Sequence, residues 1–296
     1  MSRLSLLTPP QEKEEIHPYR RPWRSIAIES GVLFLTAALL YFLANILGVQ
    51  IPIRFHLVLG LALALMPAAL WLAFSWWPER SVPQPRRRLL AVALITGLVA
   101  NAVGIPLVEE FFQVDRWLPL SSAISRIIGY TFTAGIVQEM VKYIVIRYAA
   151  WPDHFRTRLD GVAYGAAAAI GYATVLNLRF VFDGSPSPDV VAGRVFDYVV
   201  FHLVASLIVG YGLAELRFGL PTPLFVPSTI ALAALITGIA IPVRAGLVNP
   251  SFGLEISPPK FLFGLGFAAA LLAAISLVIA FLYDSAERRE REAVVE

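Results

Sequence analysis

Long apolar runs separated by short polar gaps set the rhythm of this chain. Runs long enough to cross a bilayer recur along its whole length, near 26–48, 56–77, 89–108, 122–149, 160–182, 198–216, 224–248 and 261–283. The pattern predicts an all-α fold, a polytopic transmembrane helical bundle of about eight spans. A polar tail at 1–25 precedes the helical domain at 26–283, and a second at 284–296 follows it, where DSAERREREAVVE reads as an extension of the last helix.

Composition agrees. Of 296 residues, 57% are hydrophobic and 15% charged, which exceeds what a soluble core of this size needs. The first apolar run is too long and too poorly terminated for a cleaved signal peptide, so it reads as an uncleaved span. Arg20, Arg21 and Arg24 precede span one, Arg80 and Arg86, Arg87 and Arg88 follow span two, Arg156 and Arg158 follow span four, and Arg288, Arg289 and Arg291 follow span eight. Positive residues gather on the cytoplasmic side, so both termini are expected there, and an even number of spans fits. The basic residues are sorted by side instead of forming a stripe with interleaved aromatics, which argues against nucleic-acid binding. With no cysteine, disulfides, thiol nucleophiles and thiolate metal sites are excluded.

The longest gap, 183–197, reads DGSPSPDVVAGRVFD, and its Gly and Pro residues are expected to break any helix and mark an external loop. No internal repeat stands out, which counts against the inverted-repeat architecture of many secondary transporters.

The stretch AGIVQEMVKYIVI, 134–146, places Gln138, Glu139 and Lys142 inside an apolar run. Glu139 lies about ten residues from the cytoplasmic end of span four, roughly 15 Å along a helix and close to mid-membrane. An ionisable group at that depth marks a functional site unless it is neutralised. Lys142, three residues on, shares its helix face and can neutralise it as a structural ion pair. Gly161, Gly165 and Gly171 leave span five smooth enough for close helix packing. Asn177 lies about 25 Å of helix beyond Asp160, and His202 follows early in span six. Glu139, Asn177 and His202 thus come from three consecutive helices and can converge on one pocket open to the external side.

In order and spacing, QEMVK, RLDGVAYGAAAAIGYATVLN and FHLVASLIVGYGLAE resemble the three blocks of the PrsW family of intramembrane proteases, relatives of the CAAX-processing and bacteriocin-immunity membrane proteases. The family pattern reads approximately EExxK, then DGxxYGxxxGxGFAxxEN, then a helix with one His. The resemblance implies catalytic roles for Glu139, Lys142 and Asn177. It implies a divalent metal, zinc by preference, held by Glu139 and His202, and a membrane-anchored protein as substrate or partner. Two positions depart from the pattern: Gln138 stands at the first glutamate of the EE pair and Leu176 at the glutamate before Asn177. Metal-assisted hydrolysis needs protein ligands, an activated water and a base, and neither Gln138 nor Leu176 supplies an anionic oxygen.

Other groups are less well placed. His56 opens span two at a height compatible with His202, Glu29 lies near the cytoplasmic start of span one, and the pair Glu109 and Glu110 is expected in a solvated external loop. Three functions follow: a membrane-embedded peptidase, a catalytically impaired relative that binds membrane partners as an assembly or regulatory subunit, and a small transporter.

Overall fold

The computed structural model describes residues 22–82, 85–119, 121–219, 222–248 and 260–295. Their regular structure is entirely helical. Seven helices are long and apolar enough to cross a membrane, as expected where every backbone polar group must be satisfied within its own segment. They are α1 (Pro22–Ile46), α2 (Ile53–Glu79), α3 (Leu89–Trp117), α5 (Leu159–Gly184), α6 (Pro188–Phe218), α7 (Phe225–Val248) and α8 (Lys260–Ala286). The last continues as helix to Val295. Between α3 and α5 runs α4, 123–149, built from Ala123–Tyr130, a π-helical turn Thr131–Gly135, and Ile136–Ala149. It falls outside the apolar seven because Gln138, Glu139 and Lys142 dilute its run. At its start the Ser122 hydroxyl accepts the Ser125 N–H at 3.3 Å, a side-chain cap for one of the unpaired first-turn donors.

Two boundaries differ from expectation. The region 183–197 is not a loop: α5 ends at Gly184 and α6 begins at Pro188, which leaves three residues between them. Proline is tolerated in the first helical turn, where its missing N–H has no partner to lose. Gly193 sits mid-helix against the Phe261 ring, where a side chain would collide. Glu109 and Glu110 lie in a π-helical turn, Leu107–Phe111, at the far end of α3 and not in a loop. Residues 1–21 lie outside the described part, so of the N-terminal segment 1–25 only its last four residues are seen, already helical in α1.

The centre of the bundle is α5 packed on α6. Nearly every residue of α6 from Val191 to Ala214 is buried, consistent with a helix that is apolar all round. Close approach depends on glycine: a Cβ at Gly161 would run into the Gly210 carbonyl, and one at Gly165 would stand 2.6 Å from the Ser206 carbonyl. Gly171 meets the Ala93 carbonyl of α3 in the same way. At one end of the bundle, the connections 80–88 and 150–158 are stapled by Asp160. Its carboxylate accepts the N–H groups of Arg156 at 2.6 Å and Thr157 at 2.9 Å, and pairs with Arg86, which also meets Glu79 at 3.1 Å.

Candidate functional site

Helical spacing puts Glu139 and Lys142 on one face of α4, and that face meets α6 at His202. Lys142 Nζ stands 2.6 Å from Glu139 Oε1 and 3.3 Å from His202 Nδ1. The same ammonium lies 3.5 Å from the His202 carbonyl oxygen. Glu139 and Lys142 are fully buried, and His202 is 5% exposed. The cluster is therefore enclosed by the bundle, where a pocket open to the external side was expected. From α5, Tyr172 lays its ring against His202 with centroids 4.9 Å apart. Lys142 Nζ is 6.0 Å from the same ring. The Tyr172 hydroxyl is buried without a hydrogen-bond partner among the described residues and occupies the space a Cβ at Gly104 of α3 would need.

Asn177 is buried too, at 1% exposure. Among the described residues neither its oxygen nor its nitrogen finds a hydrogen-bond partner, and it makes no hydrogen bond to Glu139, Lys142 or His202. Leu176 lies one turn beyond Tyr172 and packs on the small cluster of Ala100, Val141 and Tyr172. Position 176 thus packs near Val141 of α4 and Tyr172, and here it brings a hydrocarbon. Gln138 is half-buried.

A divalent metal does not fit this donor set. A catalytic metal needs about three protein ligands and an open position, whereas Glu139 and His202 are the two strong donors present. Lys142 already places a positive charge between them. Among the described residues no three His, Asp or Glu side chains gather closely enough to hold an ion.

The remaining candidates lie elsewhere. His56 Nε2 sits 3.0 Å from the Ile51 carbonyl, in a cleft with Asp189 at the start of α6. Glu29 accepts a 2.6 Å hydrogen bond from Ser75 of α2, and Glu109 pairs with Arg179 at 3.0 Å. A further intramembrane ion pair was missed by sequence reading: Asp197 of α6 and Arg244 of α7, 2.7 Å apart. The rule that singles out Glu139 applies equally to both residues, but Asp197 falls in the stretch 183–197 whose Gly and Pro residues read as a loop. Tyr172 was hidden because Gly-Tyr recurs elsewhere in the chain.

The comparisons with known proteins agree with the blocks around this cluster. The family described as PrsW family intramembrane metalloprotease matches residues 84–275. Protease PrsW of Clostridioides difficile (strain 630) is 26% identical over 160 residues, 53% of this chain and 65% of the relative. Protease PrsW of Bacillus subtilis (strain 168) is 28% identical over 87 residues, 29% of this chain and 39% of the relative. Protease PrsW of Geobacillus kaustophilus (strain HTA426) is 23% identical over 117 residues, 39% of this chain and 51% of the relative. The chain therefore spans less than two thirds of each of these relatives. No solved structure matches. The family match covers well over half of the chain and includes Glu139, Lys142, Asn177 and His202, so this multi-pass membrane protein belongs to the PrsW family of intramembrane metalloproteases.

Proposed function

We propose that this chain is a catalytically impaired PrsW-type peptidase that binds membrane-anchored proteins and cleaves them weakly or not at all. The observation that carries the reading is the position of Lys142 Nζ, 2.6 Å from Glu139 and 3.3 Å from His202. These are the two side chains that the family resemblance makes metal ligands, and the ammonium lies close to both. Gln138 and Leu176, standing at the two glutamate positions, leave no second carboxylate to act as ligand or base. Loss of a general base alone costs about 10²–10⁴-fold in rate.

The test is metal analysis of the detergent-purified wild type and His202→Ala, with cleavage of a membrane-anchored reporter measured in the presence of added zinc. Substoichiometric metal in both proteins and negligible cleavage are expected. Robust wild-type cleavage that disappears in Glu139→Gln would overturn the impairment and leave an ordinary peptidase.

A further inference from the structure

At the bundle end that carries the turn between α5 and α6, two arginines lack a counter-charge. Arg194 of α6 lies six residues past Pro188, and Arg126 of α4 three past Ala123. Helix α6 has 31 residues, roughly 46 Å at 1.5 Å each, and so overshoots a hydrocarbon core of about 30 Å by roughly 8 Å at either end. Arg194, about 9 Å along the helix, stands where hydrocarbon meets headgroups, and Arg126 is as close to the end of α4. Two other arginines of this region are neutralised, Arg244 by Asp197 at 2.7 Å and Arg179 by Glu109 at 3.0 Å. Among the described residues Arg194 and Arg126 pair with no carboxylate, and the Nε of each is enclosed without a hydrogen-bond partner. Their terminal nitrogens are not enclosed, and both side chains are part-exposed.

Aromatic rings fix the arrangement. Arg194 Cζ lies 4.1 Å from the centre of the Phe180 ring and 3.9 Å from that of Tyr198. Cation–π contact holds the planar group and leaves its N–H edge free to donate. Tyr198, one turn inside Arg194, is an electrostatic neighbour of Tyr130, itself one turn inside Arg126. Two Arg-Tyr pairs, one on α4 and one on α6, are thus brought together, and neither tyrosine hydroxyl is enclosed. Asp115, at the end of α3, is the carboxylate that Tyr130 senses; it is exposed and pairs with neither arginine.

We propose that Arg126, Tyr130, Arg194 and Tyr198 bind the phosphodiester of an anionic glycerophospholipid from the adjoining leaflet. Two guanidiniums and two phenols offer N–H and O–H donors and positive charge, the set that an oxyanion requires. Height selects the lipid. At the boundary between hydrocarbon and headgroups an unpaired guanidinium is costly, phosphate is the anion that every phospholipid brings there, and basic pockets between spans bind such headgroups. The two positive charges favour a lipid of net negative charge, such as phosphatidylglycerol, over a zwitterionic one whose ammonium they repel. Tyr198 is one turn from His202 on α6, so a headgroup held here lies over the approach to the Glu139 cluster from this end of the bundle.

The test titrates the full chain, purified in dodecyl maltoside, with phosphatidylglycerol and counts bound lipid by native mass spectrometry. One tightly held phosphatidylglycerol per chain is expected. Arg194→Gln and Arg126→Gln should each weaken it about tenfold, because a charge-assisted hydrogen bond is lost; should one of them fail to elute as folded protein, the other carries the readout. Arg54→Gln, exposed at the start of α2 and at the same bundle end, where Asn45 meets Asp189, should leave the affinity unchanged. Equal loss in Arg54→Gln would reduce the binding to general attraction between a basic surface and anionic lipid, and would overturn the site. Equal retention of phosphatidylethanolamine would overturn the preference for an anionic lipid. Inorganic phosphate that binds the lipid-free chain, is weakened by Arg194→Gln and displaces phosphatidylglycerol at equal concentration would make free phosphate the ligand. Displacement of the lipid by an equimolar single-span peptide with an acidic flank would instead assign the site to a carboxylate of a protein partner, and would overturn the proposal.

Discussion

At the scale of single residues, Lys142 decides what the cluster is. Buried charges are tolerated when paired, and removing one partner strands the other. Glu139→Gln and Lys142→Met should each lower stability by about 3–5 kcal/mol, read as a fall in apparent Tm in detergent. The double variant, which leaves no charge, should recover most of the loss. If either single variant is as stable as wild type, the pair is not the anchor its geometry implies. A second prediction concerns the two substituted positions. Leu176 already packs beside Tyr172 and Val141, so a glutamate there would bring an anionic oxygen toward α4, and Gln138→Glu would add another. The Gln138→Glu, Leu176→Glu variant should therefore bind zinc more tightly than wild type, because each new carboxylate is an oxygen ligand in a site of low dielectric. Titration with a competing chelator measures it, and unchanged affinity would mean that these side chains do not reach a common point.

At the scale of elements, the contact of α5 with α6 rests on glycines that a side chain cannot replace. In Gly165→Leu the new Cβ would meet the backbone carbonyl of Ser206, and backbone cannot rotate aside as a side chain can. The cost should be about 3 kcal/mol or more, seen as loss of folded protein on size exclusion. Gly31→Leu, in open space, should behave as wild type. The same glycines explain how much of the fold the sequence disclosed. Span lengths, the glycine face of α5 and the meeting of α4 with α6 were legible, since apolar runs and intramembrane charges have few alternative explanations. The start of α6 was not, because Pro188 and Gly193 read locally as breakers, and only the neighbouring Phe261 ring and the first-turn position of the proline explain them. Within the site, Glu139, Lys142 and His202 were legible as a converging group. That Asn177 finds no hydrogen-bond partner among the described residues and that Tyr172 meets His202 depend on the rotation of α5 about its own axis, which a one-residue motif does not report.

At the scale of the whole molecule, the antiparallel course of the helices brings the arginine-rich connections to one end. The connections 80–88 and 150–158 and the far end of α8 lie at one end of the bundle. They carry Arg80, Arg86, Arg87, Arg88, Arg156, Arg158, Arg288 and Arg289. Some of these serve the fold: Arg86 holds Glu79 and Asp160, and Arg158 holds Glu215 at 3.0 Å. Arg80, Arg87 and Arg88 remain exposed, and it is lysine and arginine near span ends, paired or not, that bias orientation. We therefore propose that this end is cytoplasmic and that the turn between α5 and α6 is external. Single cysteines at Ser185, in that turn, and at Ser285, near the opposite end on α8, test this without background labelling. With a membrane-impermeant maleimide on intact cells, Ser185→Cys should label and Ser285→Cys should label only after permeabilisation. The reverse pattern would invert the molecule in the membrane and place the arginine-rich end outside, against the charge asymmetry from which the orientation is argued.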